Sequence, residues 1–166
     1  MKIEIAQARD IDIVLELVEE LLAELGEEGR EFSGIDREKL RTDIQRNLGT
    51  EPGSLSGSAR FWALLAKDDG GAVLGVLTLS QSFALYAGGE YGVIDEMYVR
   101  PEYRSRGIGR QLVDGAGAIA RREGWFRLDV TAPEDRRGER AVRFYENLGF
   151  EFTGPKLRLL VGCGVD

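Results

Sequence analysis

The segment "VIDEMYVRPEYRSRGIGRQLV" (93–113) constrains the fold more than any other. It runs from an apolar strand pattern, through a loop with one proline, four arginines and two glycines, into a helical pattern. Ile108, Leu112, Val113, Ala116, Ile119 and Ala120 form the apolar face of that helix. "WFRLDVTAP" then reads as a strand closed by Pro133. Strand, loop, helix and strand over residues 93 to 131 make a βαβ unit, so two strands must be parallel. The loop itself is chemically suggestive. Glycine lets the backbone turn sharply and approach a ligand. The first N–H groups of a helix have no partner within it and carry partial positive charge. A phosphate fits there, and Arg104, Arg106 and Arg110 add charge. The residues alone leave two readings open: an anion cradle, or a tight turn with solvated arginines.

The remaining pattern surrounds this unit with antiparallel strands. "KIEIA" alternates, with Ile3 and Ile5 on one face. Ile11, Val14, Leu17, Val18, Leu21, Leu22 and Leu25 predict a helix capped by Asp10 or Asp12 and ending near Gly26. Its polar face carries Glu16, Glu19, Glu20 and Glu24, and the acidic run continues to Glu27, Glu28 and Glu31. Asp36 caps a second helix with Leu40, Ile44 and Leu48 one turn apart. "GTEPGSLSGS" is a loop. "RFWALLAK" and "AVLGVLTLSQS" are strands joined by "DDGG", a hairpin turn. "YAGGEYG" is a further loop. "ERAVRFYENLG" is a helix stopped at Gly149, and "FEFTG" with "LRLLVG" supplies a final strand or pair. The order is β-α-α-β-β-β-α-β-α-β, without an internal repeat. This predicts a single α/β domain over residues 1–166. Its central sheet is mixed and mostly antiparallel, with helices on both faces.

Composition removes several function classes. Lys and Arg number 22 and Asp and Glu 29, for a net charge of -7. Nucleic-acid binding needs clustered positive charge and is not expected. There is no histidine, which excludes every serine–histidine, cysteine–histidine or zinc–histidine mechanism. Cys163 is the single cysteine, so no internal disulfide forms, and no metal set is visible. No signal peptide and no membrane span is apparent, so a reduced, cytoplasmic protein is expected. Two familiar phosphate loops also fail. "GIGRQL" has Leu112 where a dinucleotide fingerprint needs its third glycine, and no P-loop lysine motif is present.

"RSRGIG" (104–109) resembles the Gln/Arg-x-x-Gly-x-Gly/Ala motif of the GCN5-related N-acetyltransferase (GNAT) superfamily. "IDEMYVRPEYR" resembles that family's fourth strand and its exit. "AVRFYENLGF" resembles its C-terminal helix-turn-strand. The three stand in order between Tyr91 and Gly154. The resemblance implies the GNAT fold, with two central parallel strands splayed at a bulge in the fourth. It implies acetyl-CoA as cosubstrate, its pyrophosphate held by Arg104, Ser105, Arg106, Gly107, Ile108, Gly109 and Arg110. Backbone groups of Met97 and Val99, flanking Tyr98, would bind pantetheine, with the Met97 N–H as oxyanion donor. A homodimer is a family-level expectation. In one respect the sequence departs from the family: Gly138, in "EDRRGER", stands where an asparagine commonly contacts pantetheine, in what reads as a flexible, basic loop.

Acyl transfer to an amine needs a base, because an aliphatic ammonium with a pKa of ~10.4 is almost fully protonated at neutral pH. Glu96 and Asp95 are carboxylates inside an apolar strand, costly there unless solvated, paired or used. The resemblance makes Glu96 the first candidate base and Asp95 the second. The alternative is an exposed carboxylate and an ion-paired one. Tyr145 matches the tyrosine that protonates the coenzyme A thiolate, and its alternative is packing on the sheet beside Phe144. Trp125 and Phe126 read as core and strand residues. The expected activity is acetyl-CoA-dependent N-acetylation of a primary amine. The glutamate run points to a small cationic acceptor, such as a polyamine or amino sugar, ahead of protein N-termini or lysines. A non-catalytic acyl-CoA-binding module, or a nucleotide binder outside this family, are the competing functions.

Overall fold

The computed structural model describes residues 1–26, 36–49, 60–131 and 136–154. The chain divides into two compact units, Met1–Val130 and Thr131–Asp166. In the first, β1 (Lys2–Ile5) leads to α1 (Ile11–Leu25) and α2 (Arg37–Asn47). Strands β2 (Phe61–Lys67), β3 (Val73–Ala84) and β4 (Gly89–Val99) follow, then α3 (Ile108–Glu123) and β5 (Leu128–Val130). The strands lie in the order β1-β2-β3-β4-β5. Every neighbouring pair is antiparallel except β4 and β5, which are parallel as the βαβ pattern requires.

Alternation along the strands distributes the core between two faces. Ala63 and Leu65 of β2, Val76 of β3 and Tyr98 of β4 pack in one cluster with Val14 and Leu17 of α1. The opposite face takes α3, which crosses β1 and β2 so closely that a Cβ at Gly115 would lie 3.0 Å from Leu64 Cδ1 and 3.3 Å from Ile3 Cγ2. All six apolar positions predicted for α3 are buried. Each such side chain contributes on the order of 1.5–3 kcal/mol by leaving water. Helix α2 packs on α1 through Ile44 and Leu48 against Ile11 and Leu15. Asp36 caps α2, accepting from the N–H groups of Glu38 and Lys39. Asp10 sits at the start of α1, but its carboxylate turns back to accept from the Gln7 N–H at 2.9 Å. The "DDGG" turn closes as expected, with Asp68 Oδ1 accepting from the Ala72 N–H at 2.8 Å.

Several sequence expectations shift. The "YAGGEYG" loop shrinks to a single turn at Leu85–Ala87, and β4 begins at Gly89. The "WFRLDVTAP" strand is only Leu128–Val130. Trp125 is core, edge-on to Trp62 with centroids 5.3 Å apart, whereas Phe126 is 95% exposed and belongs neither to the core nor to the strand. Propensity alone could not separate these adjacent aromatics, because the preceding turn rather than strand alternation sets their directions.

In the second unit, α4 spans Arg136–Glu146. Gly138 therefore lies within a helix and not in the flexible loop expected for it. The helix ends at Glu146 and a turn follows to Gly149, whose φ is 91°; Tyr145 stacks edge-on between Phe144 and Phe150 at 5.1 and 5.3 Å. Residues 150–154, "FEFTG", form no strand. "LRLLVG" and Cys163 lie outside the described residues. Among the described residues no helix is long and apolar enough to cross a membrane, and no cluster of His, Cys, Asp or Glu could hold a metal.

Candidate active site

The β3–β4 ladder is interrupted at one place. Leu77 pairs with Met97 and Leu79 with Ile94, so Asp95 and Glu96 together oppose the single residue Thr78. This is a β-bulge, which leaves one backbone N–H without its ladder partner. That N–H belongs to Glu96, and it donates to Thr78 Oγ1 at 3.0 Å. The same hydroxyl donates to Glu96 Oε2. Thr78 is 1% exposed and is the one polar side chain in the described core. Glu96 is half-buried and Asp95 exposed. Burial pushes the Glu96 carboxyl above the ordinary carboxylate range; the Thr78 hydrogen bond opposes this and the Asp95 charge adds to it.

The parallel ladder ends beside the bulge. Gly92, Val93 and Ile94 pair with Leu128, Asp129 and Val130, and no described pair follows. At the paired end the contact is tight: a Cβ on Gly92 would lie 2.6 Å from Leu128 Cδ2 and 2.7 Å from the Trp125 ring. Strands β4 and β5 are thus clamped at Gly92, and their described pairing stops one residue before Asp95.

Beyond β4, the loop turns into α3 through two left-handed residues. Ser105 has φ 61° and Gly107, at the helix N-cap, has φ 77°. Among the described residues no side chain caps the helix. The Gln111 N–H begins the intrahelical bonding, to Gly107 O at 3.2 Å. The amides of Ile108, Gly109 and Arg110 precede that bond, so this end of α3 offers donors to an outside acceptor. A Cβ at Gly107 would meet no described residue within 4 Å. An uncapped helix start, an open glycine and exposed Arg106 and Arg110 suit a pyrophosphate.

The arginines divide their work differently from the sequence expectation. Arg104 donates from Nε to Val99 O at 2.8 Å and forks onto Glu24 at 2.9 and 2.6 Å. Its guanidinium also lies 5.4 Å from the centroid of the Tyr98 ring. Three of its five N–H groups therefore serve the protein. Tyr98 is itself buried in the α1 cluster, so its side chain is core. Arg106 donates to Glu102 O at 2.9 Å and stacks on Tyr103. Arg100 donates to Glu16 at 2.9 Å, to Glu20 at 3.0 Å and to Val73 O at 3.2 Å. Glu19 pairs with Arg37. The acidic face of α1 thus meets arginines, while Glu27, Glu28 and Glu31 lie outside the described residues.

Tyr145 belongs to the second unit. It is 7% exposed, and burial pushes its phenol up to about 12. It therefore stays protonated at any ordinary assay pH.

The family model for the acetyltransferase (GNAT) domain matches residues 57–152, more than half of the chain. The chain belongs to the GNAT family. An uncharacterized N-acetyltransferase of Methanocaldococcus jannaschii is 36% identical over 62 residues, a stretch covering 37% of this chain but only 26% of that relative. Three solved structures share the GNAT fold. A GCN5-related N-acetyltransferase from Ralstonia eutropha JMP134 superposes with TM-score 0.76 at 19% identity, covering 97% of this chain and 99% of its own. An aminoglycoside acetyltransferase from an uncultured soil metagenomic sample gives 0.71 at 21%, covering 97% and 96%. A ribosomal-protein-alanine N-acetyltransferase from Brucella melitensis biovar Abortus 2308 gives 0.68 at 19%, covering 98% and 99%.

Set against that GNAT frame, the motif residues fall into three groups. Asp95, Glu96, Met97, Tyr98 and Val99 share the bulged end of β4. Arg104, Ser105, Arg106, Gly107, Ile108, Gly109 and Arg110 form the loop and helix start. Tyr145 stands in α4 of the second unit. Sequence reasoning missed Thr78 and the arginine partners of α1. For Thr78 a faint signal existed: a lone hydroxyl in the apolar run "VLGVLTLS".

Proposed function

We propose that this GNAT protein, as a single domain over residues 1–166, is an acetyl-CoA-dependent N-acetyltransferase acting on a primary amine. The observation that carries this is the pairing of a half-buried carboxylate in the β4 bulge with an uncapped, glycine-opened helix start at the exit of the same strand. Acetyl-CoA supplies the thioester when bound. The amides of Ile108, Gly109 and Arg110, with Arg106 and Arg110, would hold its pyrophosphate. Glu96, with Asp95 as the alternative, takes the proton from the acceptor ammonium, directly or through water. The amine nitrogen would bond to the acetyl carbon as the C–S bond breaks, with the Met97 N–H as the proposed donor to the developing oxyanion. Tyr145 gives the leaving thiolate its proton and regains one, through water, from the second proton that the nitrogen sheds on becoming the amide. The products are the amide and free coenzyme A.

The acceptor reading is narrower than the sequence suggested. Glu16, Glu20 and Glu24 are engaged by Arg100 and Arg104, so a field that gathers cations would rest on Glu27, Glu28 and Glu31. We retain a small cationic amine as the proposed acceptor. Fold neighbours named for aminoglycosides and for a ribosomal-protein alanine make both acceptor classes part of the test. Thiol release from acetyl-CoA, one thiol per amide, should appear with polyamines or amino sugars and less with lysine or N-terminal peptides. Stabilisation by coenzyme A with no turnover on any amine would identify a binding module instead. A melting temperature raised by ATP and not by coenzyme A would end the cofactor assignment.

Tyr145→Phe keeps the ring and its packing on Phe144 and Phe150 and removes the proton donor. It should lower kcat about tenfold with little change in KM for acetyl-CoA. Because the phenol titrates only near 12, no loss of activity between pH 8 and 10 should be traceable to it. An unchanged kcat with chemistry rate-limiting would leave Tyr145 a packing residue.

A further inference from the structure

We propose that Thr78 is a positioning residue for the reaction: its buried hydroxyl, lodged in the β4 bulge, holds Glu96 by one carboxylate oxygen and leaves the other for the incoming proton. The inference rests on Glu96 being the base.

Three observations converge. Thr78 is 1% exposed, on the face of β3 that alternation shares with Val76 of the α1 cluster. A hydroxyl there must therefore be explained by its bonds. It makes two, and both go to Glu96: it accepts from the backbone N–H at 3.0 Å and donates to Oε2. A hydroxyl is one of the few groups able to accept and donate at a single atom. The bulge sets an extra residue opposite Thr78, and Thr78 satisfies both the amide that the bulge orphans and the carboxylate it turns inward. Oε1 has no described protein partner.

Burial acts on Glu96 most strongly, the Thr78 bond opposes it, and Asp95 is the one charge that adds to it. On its own strand Glu96 feels Asp95. Strand β3 presents the neutral Thr78. On β2, Lys67 is paired with Glu4 and Asp10, and on β5, Asp129 is paired with Arg127. The α1 carboxylates Glu16, Glu20 and Glu24 are turned to Arg100 and Arg104. Arg110 and Asp114 of α3 are exposed. The Thr78 hydrogen bond favours the ionised carboxylate, so removing it should raise the pH at which Glu96 becomes a base.

The test is Thr78→Val, nearly isosteric, with Thr78→Ser as the conservative rescue. The Glu96 carboxyl is titrated in the intact protein by carbon-13 NMR, and kcat/KM is followed against pH. The valine variant should move the Glu96 midpoint upward and shift the acid limb of kcat/KM with it, so that activity below the midpoint falls about tenfold. KM for acetyl-CoA should stay unchanged, and serine should restore both curves. Should the valine variant not fold, Thr78→Ala removes the same hydroxyl with less bulk. An unmoved Glu96 midpoint, or a serine variant as impaired as valine, overturns the role of Thr78. A midpoint that moves while the acid limb stays put removes Glu96 as base, and the positioning role with it; coenzyme A binding by the wild type tests the cofactor reading separately.

Discussion

Glu96→Gln should cut kcat by about 100- to 1,000-fold at neutral pH and, in the same protein, raise the melting temperature. The activity loss follows from removing the base. It should shrink as pH rises towards ~10.4, because the free amine then becomes abundant without help. The stability gain follows from the sign of the Glu96 shift. Its folded pKa lies above the unfolded value, so its favourable contribution is complete only below the unfolded pKa. That contribution disappears as pH rises through the folded value, and from there the native state carries a half-buried charge. Glutamine keeps the shape, can still accept from Thr78 and has no charge to desolvate. The melting difference should therefore be large at pH 8 and small near pH 4, as calorimetry would read it. A variant that is slower without becoming more stable at pH 8 would contradict the burial argument. A stable variant of full activity would pass the base role to Asp95 or to water.

Gly107→Val should weaken coenzyme A binding by about 100-fold while the fold survives. Two effects combine. A branched side chain would stand at the helix N-cap, next to the Ile108, Gly109 and Arg110 amides, where a Cβ meets no described residue within 4 Å. A β-branched residue at φ 77° also carries strain of roughly 1–3 kcal/mol. Gly124→Val separates the two. Gly124 stands at the other end of α3 with φ 76° and ψ 21°, against φ 77° and ψ 5° at Gly107, and a Cβ there likewise meets no described residue within 4 Å. Both variants should lose comparable stability, but only the Gly107 variant should lose coenzyme A, as isothermal titration would measure. Equal affinity in both would remove the pyrophosphate from this loop.

What could be read from the chain was what depends on local pattern. The α3 face was legible because helical spacing repeats over six apolar positions, all of them buried. The parallel pair followed from strand, helix and strand in succession. The turn at Gly107 was legible because glycine before a helix has few other uses. Side-chain partners across long sequence separations were not. Arg104 reads as a phosphate ligand until Glu24, 80 residues away, is brought beside it. The bulge could be expected only through the family resemblance, since nothing in "VIDEMYV" marks an extra residue. Thr78 escaped notice because its importance lies in which two residues stand opposite it. The short β5 and the exposed Phe126 are not legible, because apolar content does not by itself specify burial.

The arginine–glutamate contacts between α1 and the end of β4 bear on how interchangeable the parts of such a protein are. Arg100 and Arg104 are spaced to meet acids at positions 16, 20 and 24 of the first helix. Individually these exposed pairs are worth no more than about 1 kcal/mol. Their weight is in matching. A first helix imported from a relative to alter acceptor choice would fold on the same apolar stripe. Without acids at those three positions, however, it would leave two guanidinium groups uncompensated beside the glycine loop. Such a chimera should need its donor's β4 exit as well, so that the two segments recombine as one cassette despite standing far apart in the chain.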